Sequence, residues 1–152
     1  MLHIRELFSF GLLLAAIGFF ASHWQELPNR VPIHYGISGE PDRWSSKDSL
    51  WILPVVTLGA YLLLTLSIRF PFLINLPSGV DREQPEVKAI LPSMMGVLKL
   101  ALMMILGYLI WASVQTAMGQ ANGLGRAFLP VSLLLIAVPI LYYWRLLKPY
   151  RK

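Results

Sequence analysis

Four apolar runs dominate the pattern of the chain: Leu7 to Ser22, Leu50 to Phe70, Met94 to Met118 and Ala127 to Leu147. Each is near the ~20 residues with which a helix crosses ~30 Å of hydrocarbon. A soluble bundle would show polar residues at helical spacing, yet Leu133 to Leu141 reads Leu-Leu-Leu-Ile-Ala-Val-Pro-Ile-Leu without one. Pro54 and Pro130 fall at helix starts, where a missing N–H costs nothing, whereas Pro139 falls mid-span and predicts a kink. The pattern therefore predicts an all-α membrane protein of one domain, residues 1–152, with four transmembrane helices.

The first run is short and, with Arg5 before it and Ala21-Ser22-His23 after it, could be read as a cleaved signal peptide. Gly11, Ala15, Gly18 and Ser22 instead mark one helical face with small side chains, as a retained helix-packing surface would. Between the first two runs the pattern changes character. Residues 23–49 form a polar loop in which Val31, Ile33 and Tyr35 alternate like a short strand, Pro28, Pro32 and Pro41 restrict the backbone, and Gly36 and Gly39 permit sharp turns. A charged loop, residues 71–93, separates the second and third runs.

Composition agrees with the pattern: 56% of the 152 residues are hydrophobic and 14% charged, too apolar for an ordinary soluble domain. The net charge of +5 lies beside the spans and reports topology, so no nucleic-acid partner is implied. With the amino terminus inside, nine basic residues (Arg5, Arg69, Arg82, Lys88, Lys99, Arg145, Lys148, Arg151, Lys152) face the cytoplasm and four (Arg30, Arg43, Lys47, Arg126) face out. The positive-inside rule thus predicts both termini cytoplasmic and the 23–49 loop a structured extracytoplasmic one. Trp24, Trp44 and Trp51 bracket that loop, and Tyr142, Tyr143, Trp144 and Tyr150 gather at the other end, as interfacial rings do. Lys99, about one turn inside the third run, is expected to snorkel to the cytoplasmic interface.

Candidate chemistry is sparse. There is no cysteine, hence no disulfide, thiol catalysis or Cys-ligated metal. No nucleophile elbow, phosphate loop or His-Glu-x-x-His pattern occurs, and no enzyme or cofactor is expected. Every carboxylate lies outside the apolar runs, which argues against a proton-coupled carrier. The pairs Met94-Met95 and Met103-Met104 read as packing, since Met fills irregular gaps in apolar interiors. In the outer loop His23, Glu26, His34, Glu40 and Asp42 could converge; His23, His34 and Asp42 are weak metal candidates without a zinc-like spacing. Asp42 can lock a turn by bonding backbone amides, and Arg30 or Arg43 can pair with Glu40 or Asp42. The loop therefore reads either as a rigid cap or as a ligand surface made by His34, Glu40, Asp42, Arg43, Trp44 and Lys47.

The string Leu-Pro-x-x-Val-Pro-x-His-x-x-x-x-Gly-x-Pro-Asp-x-Trp, from Leu27 to Trp44 with Lys47 shortly after, resembles the domain of unknown function 1648, a bacterial integral-membrane family. Pro28, Pro32, His34, Gly39, Pro41, Asp42 and Trp44 carry the resemblance, which covers about the first half of the chain. Its best-known relatives, the SdpI-like proteins, protect a cell from a secreted peptide toxin and can act as membrane receptors that sequester a repressor; they have further spans that find no counterpart here. The resemblance implies an extracytoplasmic loop of shared architecture, residence in the bacterial cytoplasmic membrane and no established enzymatic activity. The leading expectation is that the outer loop senses or binds an extracytoplasmic ligand such as a peptide, with a membrane or cytoplasmic regulatory partner. A small transporter using Pro139, Gln115 and Gln120, or an accessory subunit with the loop as a partner lid, are the alternatives.

Overall fold

The computed structural model describes residues 2–70, 72, 74–76 and 79–151. Lys152, counted in the terminal basic cluster, and Pro71, Leu73, Pro77 and Ser78 of the 71–93 loop lie outside the described residues. Four helices, α1 (Leu2–His23), α2 (Ile52–Arg69), α3 (Pro85–Ala117) and α4 (Phe128–Leu147), are long and apolar enough to cross a membrane. Leu62, Leu63, Leu133, Leu134, Val138 and Leu141 stand on their outer faces with more than half of their surface exposed. So continuous an apolar exterior is stable in hydrocarbon and not in water. The chain is a multi-pass membrane protein. To the expected all-α architecture the structure adds one antiparallel hairpin, β1 (Arg30–Tyr35) and β2 (Pro41–Ser46), in the loop joining α1 to α2.

The central element is α3, which packs against the other three helices. Its 33 residues span about 50 Å at 1.5 Å per residue, more than a bilayer core. It begins at Pro85, well before the apolar run at Met94, so residues 85–93 of the expected loop are helix. Pro85 supplies the start, because its missing N–H is an unpaired donor in any first turn. Both ends of the chain lie at this end of the bundle: Arg5 bonds Ser93, and Leu147 is buried with Ile74, Val87 and Leu91. The hairpin and the α3–α4 loop share the opposite end, over a cluster of Phe20, Leu27, Val31, Leu50, Ile110 and Val114. α4 runs unbroken through Pro139, Met103 is buried, and Gln120 falls in the turn beyond α3.

Two expectations are corrected. Gly11, Ala15, Gly18 and Ser22 are exposed, and no atom stands within 4 Å of where a Cβ on Gly11 or Gly18 would lie. The face that packs is Ser9, Leu13, Ala16 and Phe20, which has the same helical spacing but larger apolar side chains to bury. Lys99, for its part, does not snorkel. Its side chain is 0% exposed, and Nζ donates to Glu6 Oε2 at 2.7 Å and Thr65 Oγ1 at 2.6 Å. It also lies 3.7 Å from the centre of the Tyr61 ring. One cation thereby ties α1, α2 and α3 together, and Glu6 is drawn into the bundle instead of remaining outside it. The cause is tertiary: α3 starts early, so Lys99 meets the first turns of α1 inside the bundle.

Candidate functional site

The hairpin begins where Leu27 and Val31 anchor the chain in the apolar cluster. Its register pairs Arg30 with Ser46, Val31 with Ser45 and Pro32 with Trp44, then shifts on either side of His34, which faces Arg43. Such irregularities change which face successive side chains take. Val31 and Pro32 are both buried, Val31 within the apolar cluster, while Ile33 and His34 are exposed. The turn is closed by the Gly36 N–H on Glu40 O and the Gly39 N–H on Gly36 O, each at 2.9 Å.

That leaves Asp42 free for a partner other than turn amides, and the partner is His34: Nδ1 lies 2.6 Å from Asp42 Oδ1. A carboxylate only accepts, so Nδ1 carries the hydrogen and Nε2 is the nitrogen available to a ligand. The side chains are 51% and 50% exposed, so the pair contributes at most ~1 kcal/mol to stability. Its geometry fits orienting an imidazole better than holding a fold together.

His34 stands on the ridge between two clefts. One, of about 490 Å³, lies against Pro32, Ile33, Leu50, Leu53 and Leu109, with Ser49 and Ser113 as polar points. The other, of about 480 Å³, reaches Ile37, Asp42, Phe128 and Leu129. Tyr35 touches both clefts and donates its hydroxyl to Ser113 Oγ on α3 at 3.0 Å. Burial pushes the Tyr35 phenol above its ordinary value, and hydrogen bonding with Ser113 and Thr116 opposes the shift.

Backbone contacts fix the hairpin tip. The Leu124 N–H donates to Gly39 O at 2.7 Å. Gly39 at φ 80° and Gly125 at φ 78° have left-handed backbones, and a Cβ on Gly39 would lie 2.5 Å from the Gly125 carbonyl oxygen. Glycine is required there both for conformation and for approach. Tyr108 on α3 supports the same loop, donating its hydroxyl to Leu124 O at 2.9 Å and stacking on Phe128. The hairpin is thus clipped to the α3–α4 loop.

Of the sequence candidates, the structure joins His34 with Asp42 and leaves Arg43 and Trp44 exposed on β2. Glu40 sits in the exposed turn. Lys47 lies 4.6 Å over the Trp24 ring, beside the Trp24–Trp51 contact, and so closes the base of the hairpin. His23 stays on α1, where Nδ1 lies 2.9 Å from Phe19 O and the ring packs on Phe19. Among the described residues no three His, Asp or Glu side chains gather as metal ligands, and neither Arg30 nor Arg43 forms an ion pair. No motif marks Tyr35, Ser113 or Leu124 as site residues; the Gly119-x-x-x-Gly123-x-Gly125 run of the α3–α4 loop is the available signal for a close backbone approach.

An uncharacterised protein of Archaeoglobus fulgidus is 40% identical over 63 residues, an alignment covering 36% of this chain. The chain spans about a third of the length of that relative, 34%. No solved structure matches. Residues 11–58 match the family described as Domain of unknown function (DUF1648), a stretch that contains most of α1, the whole hairpin and the start of α2. The stretch 11–58, from within α1 through the hairpin to the start of α2, is therefore the part of the chain that matches the domain of unknown function 1648.

Proposed function

We propose that this is a bacterial cytoplasmic-membrane protein, both termini inside, whose outward-facing hairpin binds an extracytoplasmic peptide in a sensing or immunity role. The observation that carries the reading is the cleft of about 490 Å³ beneath β1: apolar walls, a few polar points, and an oriented, half-exposed imidazole at its rim. Ligand sites have that composition. A peptide suits it for a second reason. β2 is exposed along most of its length and forms one edge of a two-stranded sheet, so an extended chain can add to it through main-chain hydrogen bonds. The nine-to-four distribution of basic residues supports the orientation.

Transport finds less support, because the intramembrane cation Lys99 is fully engaged by Glu6, Thr65 and Tyr61. The test is selection of a random peptide library on the protein in nanodiscs. Peptides enriched on the wild type are expected to be lost on Leu53→Trp, which fills the cleft, and on His34→Ala. Equal enrichment on all three proteins would refute the assignment.

A further inference from the structure

At the end of the bundle away from the hairpin, Arg5 has no counter-ion among the described residues. Its Nη1 donates to the Ser93 carbonyl at 3.2 Å and to Ser93 Oγ at 3.0 Å, and Ser93 Oγ lies 2.9 Å from the Tyr143 hydroxyl. Among the described residues no carboxylate pairs with Arg5, and its Nη2 and Nε have no partner. The adjacent Glu6 is committed to Lys99, so of these three charges one positive charge remains. Arg5 lies within the first turns of a spanning helix, at the depth where a long basic side chain reaches the headgroup phosphates.

Arg5 also lines a cleft of about 650 Å³ between α3 and α4, whose walls include Ile90, Val97, Val138 and Leu146 with Tyr142 at the margin. The site thus joins a half-buried cation with spare donors to an apolar groove running along the spanning helices. From this complementarity we infer that the groove holds one anionic phospholipid, its phosphate on the Arg5 guanidinium and an acyl chain along Val97 and Val138. A guanidinium takes two phosphate oxygens through parallel N–H bonds, which Nε and Nη2 are free to supply.

The probe is purified full-length protein equilibrated with equal amounts of dioleoylphosphatidylglycerol and dioleoylphosphatidylcholine in detergent, with bound lipid read by native mass spectrometry. One phosphatidylglycerol is expected to be retained about tenfold over phosphatidylcholine: both carry the phosphate, but the choline ammonium of the latter is repelled by the uncompensated positive charge. Arg5→Gln should abolish the preference and Arg5→Lys should keep part of it. Val138 is exposed, so Val138→Trp obstructs the groove without disturbing the Arg5–Ser93 bonds and should lower retention while the fold stays intact. Arg126→Gln, at the far end, should change nothing. Equal retention of the two lipids, an unchanged preference in both Arg5→Gln and Val138→Trp, or displacement by inorganic phosphate would overturn the assignment.

Discussion

Replacing Lys99 with methionine separates the two accounts of this residue. A lysine that snorkels to the interface loses little on becoming methionine, since the substitute is apolar and the site is membranous. In the structure Lys99 is 0% exposed, and its removal strands the Glu6 carboxylate, whose Oε1 is already buried without a partner. Breaking a buried pair costs about 3–5 kcal/mol because the remaining charge stays desolvated. The Glu6 side chain keeps 28% exposure, which places Lys99→Met at the low end, about 3 kcal/mol. Glu6→Met should cost more, about 4–5 kcal/mol, because the cation left behind has no route to water. The double variant should recover most of the loss, an apolar pair needing no compensation. The assay is reversible unfolding in mixed micelles with increasing sodium dodecyl sulfate, followed by tryptophan fluorescence at Trp24 and Trp51, which pack together at 5.2 Å. A Lys99→Met protein within about 0.5 kcal/mol of wild type, or a double variant whose loss equals the sum of the singles, would refute the buried-pair account.

The other predictions concern the hairpin end. Gly39→Ala should destabilise the clip by about 2 kcal/mol, from left-handed strain and contact with Gly125, and hydrogen exchange should quicken at the Leu124 amide that bonds Gly39. Since the Tyr35 phenol is raised in the fold, the unfolded chain loses its proton first; stability is therefore constant below pH 10 and falls as pH rises through the raised value. Tyr35→Phe should remove that alkaline loss in a denaturation series and cost about 1 kcal/mol at neutral pH, through the Ser113 hydroxyl it leaves behind. His34→Ala and Asp42→Ala should each unfold within about 1 kcal/mol of wild type, since the pair is half exposed, yet both should lose peptide enrichment; a large stability loss would make the pair a structural clamp.

The four spans were legible because the bilayer imposes a long, uninterrupted apolar run, a signal that needs no knowledge of neighbours. The hairpin was half legible: Val31-x-Ile33-x-Tyr35 alternates, and Gly36, Gly39 and Pro41 announce the turn. The shift in register around His34, and the burial of Val31 and Pro32 together, depend on tertiary partners. The side on which α1 packs was misread because Gly11, Ala15, Gly18 and Ser22 have the same period as Ser9, Leu13, Ala16 and Phe20; periodicity finds a stripe and volume chooses between stripes. Lys99 was misplaced because its depth was measured from Met94, where the apolar run starts, and not from Pro85, where the helix starts. The pairing of Lys99 with Glu6, 93 residues away, is a product of three helices meeting and has no local trace. Within the site, the His34 and Asp42 side chains were singled out from type and spacing, but their bond to each other, and the Tyr35–Ser113 link across to α3, follow from the docked hairpin.

The outward position of the hairpin underlies the proposed function, and the chain's lack of cysteine makes it directly measurable. Ser38 is exposed at the hairpin tip and Glu83 is exposed at the opposite end. In intact cells a membrane-impermeant maleimide should label Ser38→Cys at once and Glu83→Cys only after permeabilisation; the reverse pattern would turn the molecule over and remove the hairpin from any extracytoplasmic ligand.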